Sequence, residues 1–191
     1  MKSVLISIQP KWCKLIASGE KTIEVRKTAP QMPLPFKCYI YCTKSRKPYE
    51  SFGINNKPVE CSGYVIGEFE CKDVRNYCNN PYGRHKYFIS DLKATCLTME
   101  DLWSYGKRKE LYGWHISDLV IYDKPKGLDK FIVKSDLGCC NEGKCRNCHF
   151  FDKGNGFNVE DDCTATFDTD EYKPLRRPPQ SWCYVKELQD A

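Results

Sequence analysis

The feature that most constrains this chain is its punctuation. Short β-branched and aromatic runs recur along it, each cut off within a few residues by proline, glycine or asparagine. Residues 3–8 form the first such run, ended by Gln9-Pro10, and residues 37–43, 63–77, 119–122 and 180–188 read as further strands. Only two stretches read as helices. One begins at Pro10, carries Trp12, Leu15 and Ile16 at helical spacing and stops at Gly19. Its Trp12 is expected in the core. The other starts at Thr98-Met99-Glu100-Asp101, with Leu102 and Trp103 on one face and Gly106 after it. Many short strands and two short helices predict a mainly β (α+β) fold, an open or closed β-barrel with helical decoration.

The connections carry their own signals. Pro30, Pro33 and Pro35 force an extended loop, and Gly67 inside a strand predicts a bulge or a close backbone approach. Residues 45–62 lack periodicity and read as a hairpin or loop. There Lys44, Arg46, Lys47, Tyr49 and Phe52 interleave charge with rings, a mixture that suits single-stranded nucleic acid and equally a plain surface. Residues 79–83 are a turn cluster followed by basic Arg84, His85 and Lys86, and Lys107-Arg108-Lys109 is a basic surface run.

Between the first helix and the proline-rich loop lies Gly19-Glu20-Lys21-Thr22-Ile23-Glu24-Val25-Arg26, a turn running into a strand. Ile23 and Val25 alternate with Thr22, Glu24 and Arg26, so the polar three share one face if the apolar two meet the core. Lys21, Glu24 and Arg26 then converge within about 10 Å at a rise of about 3.3 Å per residue. The plain alternative is a solvated strand face with an ion pair of little energetic weight.

The chain has 191 residues, net charge +5 and 13 cysteines. No signal peptide and no membrane-spanning run is read from it, so the expected location is cytoplasmic. Cytoplasmic thiols stay reduced, which argues against a disulfide framework. Residues 136–173 hold nine acids against four bases, a net of −5 that leaves +10 on the remainder. A basic body with an acidic insertion points to phosphate or another anion as partner, with a merely soluble surface as the alternative.

The stretch from Gly19 to Arg26 also carries a family pattern. Gly19, Lys21, Glu24 and Arg26 match glycine-x-lysine-x-x-glutamate-x-arginine, the signature of the ASCH domains, whose fold is PUA-like. Around it, a strand ending in Ser-Ile-x-Pro precedes a helix carrying Trp12, and a Gly-x-Val-Ile-Gly-Glu strand follows. Gly113-Trp114-His115-Ile116-Ser117-Asp118-Leu119, Tyr122-Asp123-Lys124-Pro125 and Pro178-Pro179-Gln180-Ser181-Trp182 look like phage- and bacterial-type members. The resemblance covers most of the chain outside residues 45–62 and 138–173.

It implies a PUA-like β-barrel that binds RNA or a nucleotide derivative in a cleft beside the signature. Lys21, Thr22, Glu24 and Arg26 would line that cleft, with Trp114, His115 and Ser117 near it. Some members are amidohydrolases acting on acetylated cytidine, and ribonuclease activity has been proposed for others. In the amidohydrolases a lysine and a threonine of the signature are the catalytic pair. Lys21 matches the lysine, whereas Glu24 stands where the threonine falls and supplies no hydroxyl nucleophile. Lys21 and Glu24 are thus the catalytic candidates if the protein is a hydrolase, with Glu24 as general base or ion-pair partner. A charged Lys21 beside Arg26 favours binding over catalysis.

Residues 138–149 hold Cys139, Cys140, Cys145 and Cys148, and Cys163 follows. The Cys145-x-x-Cys148 spacing lets two thiolates reach one tetrahedral ion. Cys140, Cys145, Cys148 and Cys163 are the expected ligands of a structural zinc, with Cys139 and His149 in reserve. Zinc would organise an acidic insertion too poor in apolar residues to fold alone. A loop of reduced cysteines or a redox pair is the alternative. The sequence thus predicts a barrel of residues 1–137 and 174–191 interrupted by a cysteine-rich insertion of residues 138–173. Its expected partner is RNA or a modified nucleoside and not a membrane, and the insertion offers a surface for a protein partner.

Overall fold

The structure, a computed structural model, describes residues 2–44, 52–54, 57–59, 61–77, 86–107, 109–134, 151–152, 156–157 and 172–187. In chain order these form β1 (Ser3–Ile8), α1 (Pro10–Ala17), β2 (Ile23–Arg26), β3 (Phe36–Cys42), β4 (Phe52–Ile54), β5 (Lys57–Val59) and β6 (Val65–Tyr77). After them come α2 (Lys86–Thr95), α3 (Met99–Gly106), β7 (Leu111–Lys126), β8 (Phe131–Lys134), β9 (Phe151–Asp152), β10 (Gly156–Phe157), β11 (Tyr172–Pro174) and β12 (Trp182–Glu187). A single 3-10 turn, Leu128–Lys130, leads into β8.

One mixed sheet organises the molecule, in the order β11-β8-β12-β1-β3-β6-β7-β2. Only β1 and β3 run parallel, joined by the crossover through α1 and β2; the other pairs in this sheet are antiparallel. Two small antiparallel ladders, β4 with β5 and β9 with β10, stand apart from it. The architecture is mainly β with a few short helices, as read from the sequence.

The central strands are apolar on both faces because both faces are covered. Val4, Ile6 and Ile8 of β1 join Cys38, Ile40 and Cys42 of β3, together with Cys13 and Ile16 of α1, in one core cluster. Leu5, Tyr39 and Tyr41, the alternate residues of the same strands, pack with Val65, Phe131 and Val185 in a second. Among the described residues, Cys13, Cys38, Cys42, Cys61 and Cys71 are buried thiols outside any disulfide, serving as small core hydrophobes. Gly67 sits where β6 approaches β7 so closely that a Cβ would fall on the Val120 carbonyl oxygen.

Three readings need correction. Residues 86–95, of which only Lys86 is read from the sequence, as part of a basic run after a turn, form helix α2. It is fixed by tertiary contacts: Leu92 packs with Val25, Tyr77, Leu102 and Leu111, and buried Asp91 accepts from Arg75 and Tyr77. Strand β7 begins at Leu111, so Trp114 to Asp118 lies inside it rather than leading into it. On α3, the Thr98–Asp101 capping box is present as expected, but only Leu102 faces inward, while Trp103 is 61% exposed. The sheet resumes at Tyr172, which pairs with Lys134. Cys139, Cys140, Cys145, Cys148, His149 and Cys163 lie outside the described residues.

Candidate functional site

The end of α1 dictates the start of the site. Ser18 closes the helix through its N–H to Lys14 O, and Gly19 turns the chain at φ 76°. That left-handed conformation is the one glycine adopts freely after a helix. The Lys21 amide then bonds back to Leu15 O, which turns the lysine inward ahead of β2. Lys21 ends 2% exposed, Glu24 6% and Arg26 9%. The solvated-face alternative is therefore overturned: the polar side of β2 is covered.

Inside, the three side chains form one ion cluster. Lys21 Nζ lies 3.3 Å from Glu24 Oε2, and Arg26 Nη2 lies 3.1 Å from Glu24 Oε1. Each carboxylate oxygen thus faces one cation. Lys21 Nζ also donates to Ile23 O at 2.8 Å and to Thr95 O at 2.6 Å, so all three ammonium donors are engaged. Arg26 Nη2 donates to Ser7 O at 2.6 Å, while its buried Nε–H finds no partner among the described residues. Burial lowers the Lys21 pKa, and Glu24 opposes the shift without cancelling it.

Helix α2 completes the cluster by contributing backbone. Its Ala94 carbonyl accepts from the Thr22 amide and its Thr95 carbonyl from Lys21. The helix is held by Arg75 Nη1, which bonds both oxygens of Asp91 at 2.8 and 2.9 Å, and by Tyr77 Oη at 2.9 Å. Tyr77 in turn needs Gly113 on β7, since a Cβ there would overlap the phenol.

Glu24, Arg26 and Lys21 lie at the floor of a cleft of about 420 Å³. Ser7 and Gln9 line it from β1 and its exit, Trp12 from α1, Thr43 from the end of β3, and Gln180 from the approach to β12. Leu97, Asp101 and Tyr105 enter at four-residue spacing along one face of α3 and the residues before it. Trp12 is half-buried at the wall rather than deep in the core, with Lys21 Nζ 5.2 Å from its ring centre. The charged lining is Lys21 and Arg26 against Glu24 and Asp101, formally balanced rather than basic.

The structure separates the remaining sequence candidates from this cleft. Thr22 is exposed and does not line it. Trp114 pairs with Glu24 across β2 and β7 but is fully buried among Phe36 and Trp182, with its Nε1–H unpartnered among the described residues. His115 lies 3.8 Å from Asp73, and burial lowers its pKa. Ser117 pairs with Glu70 on β6. Sequence reasoning missed Gln9, Asp101, Tyr105 and the two α2 carbonyls. The spacing of Leu97, Asp101 and Tyr105 was a readable sign; backbone carbonyls leave none.

No family model matches the sequence, and no curated protein matches it either. Solved structures do. A single-substitution variant of ASCH from Zymomonas mobilis aligns at TM-score 0.50 and 21% identity, covering 68% of this chain and 78% of that one. The crystal structure of the parent ASCH protein aligns at 0.49 and 21% identity, over 66% and 74% of the two chains. A second variant aligns at 0.49 and 21% identity, over 66% and 75%. At this identity the likeness is one of fold. The described chain has the fold of the ASCH domain.

Proposed function

We propose that the protein binds RNA or a modified nucleoside, with one nucleobase seated in the cleft above Glu24. The observation that carries this reading is the pinned carboxylate. With one cation on each oxygen, Glu24 is held in place yet keeps lone pairs for an incoming N–H. Carboxylates accept from the amino groups of bases such as cytosine. Trp12 and Tyr105 offer ring faces, and Gln9 and Gln180 offer amides for a polar edge. Lys21, with its donors engaged, positions Glu24, and Arg26 does so from the other side. The balanced charge of the lining favours a base over a phosphate in this cleft. Calorimetric titration with cytidine, acetylcytidine and a short single-stranded RNA tests the reading. Binding that Glu24→Gln abolishes supports it; equal binding by parent and variant overturns it.

A second reading is favoured by one observation, the lowered pKa of Lys21. A buried amine beside a carboxylate can exchange a proton with a reacting amide, as in a hydrolase on an acylated nucleoside. Incubation with acetylcytidine and with labelled RNA separates this from binding alone. Turnover lost in Lys21→Met supports it, and its absence in the parent protein removes it.

Structural zinc on Cys140, Cys145, Cys148 and Cys163 is a separate proposal, resting on the Cys145-x-x-Cys148 spacing with its two flanking thiols. Elemental analysis finding about one zinc per chain supports it; a metal-free protein of unchanged proteolytic resistance sinks it.

A further inference from the structure

Helix α3 is anchored to the strand that floors the cleft. Its buried Leu102 packs with Val25, the residue between Glu24 and Arg26 on β2. Asp101 and Tyr105, one turn apart on the same helix, wall the cleft beside that anchor. Burial orders the lining by depth. Lys21, Glu24 and Arg26 are buried at the floor, whereas Asp101 and Tyr105 are exposed and stand at the mouth.

Asp101 is held in one orientation by the capping box. Its Oδ2 accepts from the Thr98 amide at 2.9 Å and from the Thr98 hydroxyl at 2.7 Å. Its own amide donates back to that hydroxyl at 3.1 Å. Among the described residues no hydrogen bond reaches Oδ1, which is left as an acceptor. Because the cap already fixes the side chain, a ligand that engages Oδ1 has little ordering to offset. The Thr98 bonds, with Lys11 adding to them, hold the carboxyl below its ordinary value. At neutral pH it is ionised and can only accept. A ligand group at the mouth must therefore bring a hydroxyl or amino hydrogen, and a phosphate on this side is repelled. Tyr105 stands beside it, with Lys27 Nζ 4.7 Å from its ring centre, and adds an apolar surface. A sugar offers both halves of that pairing, hydroxyl hydrogens and apolar ring carbons.

We infer that Asp101 reads the sugar: its Oδ1 accepts from the ribose 2′-hydroxyl of a nucleoside whose base sits on Glu24. This rests on the proposed reading of the cleft and sharpens it, by naming the residue that selects ribose over deoxyribose. The 2′-hydroxyl is the group by which a protein tells RNA from DNA at a single position. Depth supports the assignment, since a base on the floor carboxylate leaves its sugar nearer the mouth.

The test compares cytidine with 2′-deoxycytidine by calorimetric titration of the full chain. The parent should bind the deoxy compound about tenfold more weakly, the scale of one hydrogen bond to a charged group. In Asp101→Ala, shown to be folded by circular dichroism, the two nucleosides should bind alike. If the alanine variant does not fold, Asp101→Asn keeps an acceptor for the Thr98 amide without the charge, and should reduce the preference. Equal binding of the two nucleosides by the parent overturns the inference, whatever the variants do. So does a loss in Asp101→Ala that is the same for both, the mark of a displaced helix rather than a removed contact. A ribose preference that survives undiminished in the folded variant also overturns it, and leaves the reading of the cleft standing. A parent that binds neither nucleoside removes the reading of the cleft and this inference with it.

Discussion

Two charged clusters are built on the strands that flank β7. On β2, Glu24 and Arg26 stand two residues apart and meet Lys21; on β6, Glu70 and Lys72 stand two residues apart and meet Asp118. In sequence each strand carries an acid and a base two residues apart on one face. In the fold, the side chains of the first are at most 10% exposed, and those of the second 47% or more. The difference lies in what covers them. Trp12 of α1, Thr95 of α2, and Asp101 and Tyr105 of α3 close over β2, whereas the Lys72 side of β6 faces water. An ion cluster in water is screened and contributes little; the same cluster under cover depends on every member. Under this cover Arg26 Nε finds no partner among the described residues.

This contrast can be broken by mutation. The largest effect is expected for Glu24→Ala, which leaves Lys21 and Arg26 buried without their shared counter-charge. Urea unfolding should show a loss of about 3–5 kcal/mol; a loss below about 1 kcal/mol, the surface-pair scale, would make the two clusters equivalent. Asp91→Asn comes next, because it weakens the hold of Arg75 and Tyr77 on α2. A loss of about 1–3 kcal/mol is expected, accompanied by weaker cytidine binding through the displaced Thr95 carbonyl. Full stability with full binding would show that α2 is held without this network.

A smaller effect is expected from pH. The Lys21 pKa is lowered in the folded state by burial, so the unfolded chain holds a proton that the native one lacks between that lowered value and the ordinary 10.5. Stability from this group should therefore rise with pH through that window, and be least favourable below it. Comparing parent and Lys21→Met across alkaline pH isolates the effect; parallel curves would show that Lys21 does not titrate differently on folding. Smallest of all is Lys72→Ala, whose unfolding midpoint should match that of the parent. A clear drop would mean that the exposed cluster is more than surface.

Much of the frame was legible in the sequence. The β1–α1–β2 unit follows from an apolar run, a proline, helical spacing and a glycine stop, and the α3 start follows from its capping box. Lys21, Glu24 and Arg26 could be named together because they crowd into a short stretch. Their burial could not, since the helix that covers Lys21 has no strong local signal. Residues 86–95 mix aromatic, β-branched and charged residues, and Asp91 becomes their anchor only when Arg75 and Tyr77 arrive from β6. Trp12 was misplaced because a half-buried wall and a buried core share the same helical spacing. Strand β7 was cut short because Asp118, at φ 47°, bends it in a way the residue types do not announce.

The buried thiols give the molecule a built-in clock. Burial pushes Cys71 up to about 12 and raises Cys38 well above an ordinary thiol, so neither offers thiolate to a reagent at neutral pH while folded. Cys38 lies on β3 and Cys71 on β6, strands that pair directly in the middle of the sheet. Alkylation at either position therefore records how often this seam parts, without any engineered probe. A nucleoside that binds only the closed sheet should slow that clock in proportion to its occupancy.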